Sequence, residues 1–395
     1  MDIDLFAGSP MGRLVPISGT DVRTREHYRH HAFLPEPLPR EIDLPQIAWT
    51  EVARAEAALG RLDQAARQVP EPALLRMPAI RREAQSTSAL EGTFAPFEEV
   101  LGSDPAERQR LPAEIREVLN YVVAADHAFE WVVSRPITLA LVQDLQAILV
   151  KDTAGEHGDA GRLRDRQVVI GSPGSPMAAA RFVPPPPGDQ LRAGVERWIE
   201  WVGDGTVRLP PVVRAAMAHY QFECLHPFSD GNGRIGRLLI VAQLLRQGAL
   251  GEPILVVSPW FEARRDAYQD GLLELSASGV WGAWIRFFAQ GVAAAADETR
   301  ETVDRMLDWR EGALQRVRRH KASGLAERVA GELIGAPFVD ARAVADRHDV
   351  THQGAMNALR RLAGIGLVDE RRRGGRVVFV ADEVVRLLAP PASGA

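Results

Sequence analysis

The 395 residues are 46% apolar and 25% charged, ordinary proportions for a folded chain of about two or three domains, and they exclude global disorder. With 47 basic against 52 acidic residues the net charge is −5, which excludes a basic nucleic-acid coat, and no apolar run approaches the ~18 residues of a membrane span. The opening residues lack a basic stretch followed by an apolar one, and the single cysteine, Cys224, cannot form an intrachain disulfide, so the expectation is a protein without membrane contact in a reducing, cytoplasmic compartment.

Residues 1–45 are mixed and proline-rich, closing on Leu34-Pro35-Glu36-Pro37-Leu38-Pro39, and predict an extended arm rather than a packed element. His27, His30 and His31 lie there without a cysteine or carboxylate at ligand spacing, so a solvated arm is expected rather than a metal site. An alanine-rich run predicts a helix over 47–68, closed by Pro70 and Pro72. A second helix is expected over 78–88 with Gly92 as its stop, then two more over 112–134 and 138–150, with Thr138 as an N-cap. The rhythm then breaks. Val168-Val169-Ile170 and Arg181-Phe182-Val183 read as the strands of a hairpin with a long tip, and Pro184 to Pro187 bar the ladder from continuing.

Helical spacing returns at Leu191, Val195, Trp198 and Val202, and again at Val213, Met217, Tyr220 and Cys224, the second helix ending at His226-Pro227. Cys224 on that apolar face reads as core rather than as a reactive thiol. Helices are expected to continue to about residue 319. From Arg316 to Arg376, thirteen basic residues meet seven acidic ones, so this segment carries about +6 and the remainder about −11. Helices over 325–334, 340–348 and 351–362, followed by β runs over 368–370 and 377–380, outline a winged helix-turn-helix. Gln353, Asn357 and Arg360 occupy the recognition-helix place for DNA, and Arg371 to Arg373 suit either phosphate contact or a solvated wing.

The densest stretch is His226-Pro227-Phe228-Ser229-Asp230-Gly231-Asn232-Gly233-Arg234-Ile235-Gly236-Arg237. One helix ends, a tight turn follows, and a new helix begins near Gly233. Glycines let backbone N–H groups approach an anion, and a helix N-terminus adds free donors and positive dipole. Arg234 and Arg237, three apart, share a face of the new helix, where two cations oppose the dipole unless an anion sits there. A polyphosphate would resolve that conflict. Asp230 beside phosphate oxygens would suit Mg²⁺, and His226 could accept a proton from an attacking hydroxyl.

This stretch resembles, at every fixed position, the HPFxDGNGRxxR signature of Fic proteins. Thr87-Ser88-Ala89-Leu90-Glu91-Gly92 is similar to the family's inhibitory pattern, Ser/Thr-x-x-x-Glu-Gly/Asn, and residues 161–187 resemble its flap. The implied fold is mainly α: a Fic-type helical bundle with a small β-hairpin flap and a C-terminal winged helix-turn-helix. The implied domains are 1–110 (arm and helical region with the inhibitory motif), 111–310 (catalytic core, flap near 162–187) and 311–395 (winged helix-turn-helix).

The resemblance implies transfer of AMP from ATP, with Mg²⁺, to a Tyr, Ser or Thr hydroxyl of a target protein and of the chain itself. His226 would be the general base and Asp230 the metal ligand. Glu91, His226, Gly231, Asn232, Gly233, Arg234, Ile235, Gly236 and Arg237 would contact nucleotide, with Arg234 at the β-phosphate and Arg237 at the γ-phosphate. Phe228 would pack inward, and Tyr268 would lie on the adenine side. Thr87, Glu91 and Gly92 would form the inhibitory element, Glu91 pairing with Arg237 and Thr87 fixing the helix that presents it. The flap would hold the target as an added strand, and pairing into a homodimer through the core is expected of relatives. Two other functions fit the same residues: removal of AMP or transfer of another phosphate-bearing group, and a nucleotide-sensing regulator that binds DNA through its C-terminal domain.

Overall fold

The first 35 residues depart from the expected arm. In the computed structural model, which describes residues 1–20, 27–69, 71–171, 177–322, 324–373 and 375–389, β1 (Gly12–Thr20) and β2 (His27–Pro35) pair antiparallel with Val15 opposite Ala32 and Leu14 opposite Phe33. The prolines that suggested extension cluster where this ladder ends. Val15, Ala32, Phe33 and Leu34 are buried, and the Phe33 ring lies 5.3 Å from Phe6 and 5.6 Å from Phe182. Burial of that aromatic cluster turns the arm into a packed element. His27 remains exposed, whereas His30 and His31 are half-buried within β2 rather than solvated.

Five helices follow: α1 (Gln46–Arg67), α2 (Ala73–Leu90), α3 (Phe97–Gly102), α4 (Ala113–Val132) and α5 (Leu139–Val150). The Thr138 hydroxyl caps α5 as expected, accepting from Leu141 N at 3.2 Å. Gly92 ends α2 at φ +94°, where a side chain would be strained, and lets Thr93 N return to Ser88 O at 2.9 Å.

The hairpin expected over 168–183 reduces to one antiparallel bridge, Ile170 opposite Phe182. Its expected tip at 172–176 lies outside the described residues. The four prolines that follow have no N–H to donate. The Val183 carbonyl instead accepts from Phe33 N at 2.8 Å, so β2 braces the flap.

Helices α6 (Asp189–Gly203), α7 (Pro211–Leu225), α8 (Asn232–Arg246), α9 (Ser258–Glu262), α10 (Arg265–Ser278) and α11 (Trp281–Arg319) complete the body. Helices α7 and α8 are buried almost all round. The one-sided spacing read along α7 understates this: His219 and Gln221, on its polar side, are buried too, and Glu223 is half-buried with its Oε1 out of contact with solvent. Trp198 and Trp284 pack on α7 and donate their indole N–H groups to Ala218 O and Ala216 O at 2.8 and 3.0 Å. Helix α11 packs along α1 and runs unbroken across residues 310 and 311.

The C-terminal segment contains α12 (Leu325–Glu332), β3 (Phe338–Val339), α13 (Ala341–His348), α14 (His352–Gly364), β4 (Asp369–Arg373), β5 (Arg376–Val380) and α15 (Asp382–Leu388). Its strands form an antiparallel sheet in the order β3–β5–β4. The basic strands are not wholly solvated. Arg371 pairs with Asp382 and with Glu98 (3.5 Å), Arg376 with Glu107 (3.3 Å), and Arg373 lies over the Phe338 ring. Gln353 donates to Asn357 at 2.9 Å within α14. Among the described residues no helix is long and apolar enough to cross a membrane.

Candidate active site

The turn between α7 and α8 is built by its own side chains. His226 follows α7 in the left-handed conformation (φ 45°, ψ 60°), uncommon for a residue with a side chain. Phe228 is buried. Asn232 closes the loop on it, accepting from Phe228 N at 2.9 Å and donating to Phe228 O at 2.8 Å. The Asn232 side chain is therefore a staple of the turn, while its backbone lies at the start of α8. Gly231, at φ +86°, starts α8, whose first-turn N–H groups have no helical carbonyl to bond.

Both arginines of the motif are buried, Arg234 at 3% and Arg237 at 2% exposure. Arg237 donates from Nε to Thr87 Oγ1 (2.7 Å) and from Nη2 to Thr87 O (3.1 Å) and Glu91 Oε1 (2.6 Å). Thr87 thus grips the arginine itself, in addition to belonging to the helix that presents Glu91. A side chain at Gly233 would lie 2.3 Å from Glu91 Oε1, so only glycine lets the carboxylate settle over the start of α8. Arg234 pairs with Glu117 of α4 and donates to Asp230 Oδ1 at 2.8 Å. Ile235 is buried, and Gly236 packs against Glu223 and His219 of α7.

Burial raises the Glu91 carboxyl's pKa, but Arg237, by charge and hydrogen bond, with Arg234 and His226, outweighs it and holds the group below the ordinary glutamate range. Burial, then the nearby Arg164 guanidinium, lower His226 to about 4 against an opposing pull from Glu91, so the imidazole is neutral at neutral pH. Burial lifts Glu223 to about 7; Arg237 opposes this and Glu91 adds to it. Its Oε1 is buried and, among the described residues, has no hydrogen-bond partner. Burial also pushes Cys224 up to about 12, in keeping with an inert core thiol.

His226, Glu91, Gly233 and Arg237 border a cleft of about 720 Å³ that extends past Tyr268 to the flap residues Ile170 and Phe182. Tyr268 is almost wholly buried there and shares a 2.8 Å hydrogen bond with His219. The expected residues His226, Glu91, Thr87 and Arg237 therefore meet at one place. Three neighbours went unread in the sequence. Glu117 and Glu223 sit at unremarkable helical positions, and Glu83 anchors α2 by accepting from Ser258 N (2.9 Å) and the Ser258 hydroxyl. Only the four-residue spacing of Glu83, Thr87 and Glu91 on one face of α2 could have drawn attention to the last.

Residues 49–130 match the Fic/DOC family N-terminal region, and residues 136–244 match the Fic/DOC family. The chain is 31% identical over 195 residues to a "Protein adenylyltransferase Fic" of Drosophila willistoni, a match covering 47% of this chain and 33% of that protein. It is 30% identical over 227 residues to the protein of the same name from Culex quinquefasciatus, covering 55% and 38% respectively. The chain thus spans little more than a third of the length of these curated relatives. Among solved structures it is similar to a Fic family protein from Desulfovibrio desulfuricans, with a TM-score of 0.54 at 19% identity, covering 86% of this chain and 97% of that one.

Proposed function

The chain belongs to the Fic/DOC family, and from that premise we propose that it is a protein adenylyltransferase, moving AMP from ATP to a Tyr, Ser or Thr hydroxyl and restrained by its own Glu91. The observation that carries this reading is the 2.6 Å bond from Arg237 to Glu91, made across 146 residues of sequence at the edge of the cleft that holds His226. In the reaction the target oxygen bonds to the α-phosphorus, the bond to the pyrophosphate oxygen breaks with its electron pair, and His226 receives the hydroxyl proton. A base must be unprotonated to do this, and burial beside Arg164 keeps His226 so.

The first-turn N–H groups of α8 and the two guanidiniums would then spread the charge of the triphosphate. Arg237 is engaged by Glu91 and Thr87, and Arg234 by Glu117 and Asp230, so neither is free for phosphate while these contacts last. Asp230 keeps a half-exposed carboxylate, a hard oxygen donor of the kind magnesium takes once or twice beside phosphates. Bound with ATP, the ion would neutralise charge on phosphate oxygens. Ile170 and Phe182 at the cleft edge suit a target backbone added alongside the flap.

The test is transfer of α-labelled phosphate from ATP with Mg²⁺, followed on the chain itself and on a lysate. Strong label with Glu91→Gly, weak label with the parent and none with His226→Ala is expected. If no variant labels while ATP still binds, removal of AMP or nucleotide sensing takes its place. For residues 311–395 we retain the winged helix-turn-helix reading but favour docking over DNA binding, because Arg371 and Arg376 already pair with Glu98 and Glu107.

A further inference from the structure

On the other side of the His226 turn lies a third buried arginine, one that the motif does not include. Arg164 is 1% exposed and, among the described residues, forms no ion pair with a carboxylate. Its hydrogen bonds go to main-chain carbonyls instead. Nε donates to His226 O (2.9 Å), Nη1 to Arg166 O (3.1 Å), and Nη2 to Pro185 O (2.6 Å) and, at 3.5 Å, to Leu225 O. Its backbone N–H donates to Pro227 O at 3.0 Å. One residue thus receives the carbonyls of 225, 226 and 227 in succession and ties them to the foot of the flap.

Burying a cation without a carboxylate is costly, so the arrangement calls for a physical reason. The carbonyls at the end of α7 have no helical partners, and that end carries the negative pole of the helix dipole. A guanidinium meets both needs at once. Its planar fork reaches several acceptors in fixed directions, whereas an ammonium is a compact point charge on a flexible stem. The carbonyl it holds also belongs to a residue in a strained left-handed conformation, which persists only where surrounding bonds over-determine it.

We propose that Arg164 is a positioning residue: it caps α7 from outside the helix, fixes the turn that carries His226, and couples that turn to the flap at Pro185. This rests on the reading of His226 as the base. Arg164 also places a permanent charge beside the imidazole. Burial weakens the guanidinium's hold on its proton only to about 9, so it remains charged at neutral pH. The other charged groups around this cleft are Glu91 from α2, Glu223 from α7, Arg237 from α8, Arg181 from the flap, and Arg265 and Asp266 from α10. Among the neighbours that act on His226, Arg164 favours the neutral ring and Glu91 favours the charged one.

The experiment uses the full chain carrying Glu91→Gly, with Arg164→Lys and Arg164→Gln added singly. The rate of AMP transfer is followed against pH, and the His226 imidazole is titrated by NMR, its signal identified by loss in His226→Ala. Arg164→Gln, neutral but still a donor, is expected to move the His226 titration upward from that of the Glu91→Gly parent, toward the ordinary 6.5, and Arg164→Lys, which keeps the charge, to leave it where the parent has it. Both are expected to lower kcat at least about tenfold with KM for ATP little changed, because misplacing the base costs the chemical step. An unmoved His226 titration in Arg164→Gln, or a kcat within about twofold of the parent in both variants, overturns the proposal. If Arg164→Gln does not fold, Arg164→Lys decides through kcat. If the Glu91→Gly parent transfers no AMP but the imidazole responds as stated, the function fails and the role of Arg164 stands.

Discussion

The two sides of the His226 turn hold buried arginines by different chemistry. On the α8 side, Arg234 and Arg237 are met by carboxylates from other helices, Glu117 and Glu91. On the flap side, Arg164 is met, among the described residues, by carbonyls of the turn and its surroundings. A carboxylate on a helix end can swing away, and a phosphate can take its place on the guanidinium at little electrostatic cost. A backbone carbonyl has no such freedom without remodelling the chain. The first arrangement is therefore suited to be exchanged for a ligand, and the second to keep geometry constant during the exchange.

Mutations should separate the exchangeable contacts from the fixed ones. The largest expected effect is loss of the proton acceptor: in the Glu91→Gly background, His226→Ala should lower the rate of AMP transfer by about 10²–10⁴-fold, measured by label incorporation over time. Release of Arg237 comes next. Glu91→Gly alone should raise labelling about tenfold or more, since a part-buried charge-assisted bond is lost and the guanidinium freed. Thr87→Ala removes a neutral bond to the same group and should raise it about fivefold, the equivalent of about 1 kcal/mol. Equal labelling by parent and Glu91→Gly, with a functional His226, would show that α2 does not restrain this site.

Glu223 sharpens the contrast because its half-buried carboxyl feels Arg237 but, among the described residues, has no such bond in hand. Its folded pKa of about 7 lies above its ordinary 4.5, so the native state binds the proton more tightly than the unfolded chain does. Its contribution to stability is complete below about 4.5 and is lost as pH rises to about 7. Glu223→Gln should flatten the fall of Tm across that window, and an unaltered slope would mean that the carboxyl is not the titrating group. The smallest effect belongs to the surface. Arg371, with 44% of its side chain exposed, should cost less than about 1 kcal/mol on change to alanine, and less still in high salt.

The residues from His226 to Arg237 were legible in the sequence because their chemistry is local: a helix end, a glycine turn and two arginines on one face follow from spacing alone. The site's restraint was half legible. Glu91 and Thr87 could be linked to Arg237 through the family pattern, but the hydroxyl's direct bond to the guanidinium depends on how α2 crosses α8.

The amphipathic spacing along α7 predicted one buried face. That helix instead lies inside the bundle, which buries His219 and Gln221 along with the apolar residues and half-buries Glu223. The N-terminal arm became a hairpin because Phe33 found Phe6 and Phe182, partners separated from it by 27 and 149 residues. By itself the sequence determined most of the helices, the ends marked by Thr138 and Gly92, and the motif, since these rest on backbone propensities and contacts a few residues apart, although α2 starts at Ala73 rather than at Pro78. Only the tertiary structure decided which charges are buried together, because burial and the pKa of a group depend on neighbours brought in from distant parts of the chain.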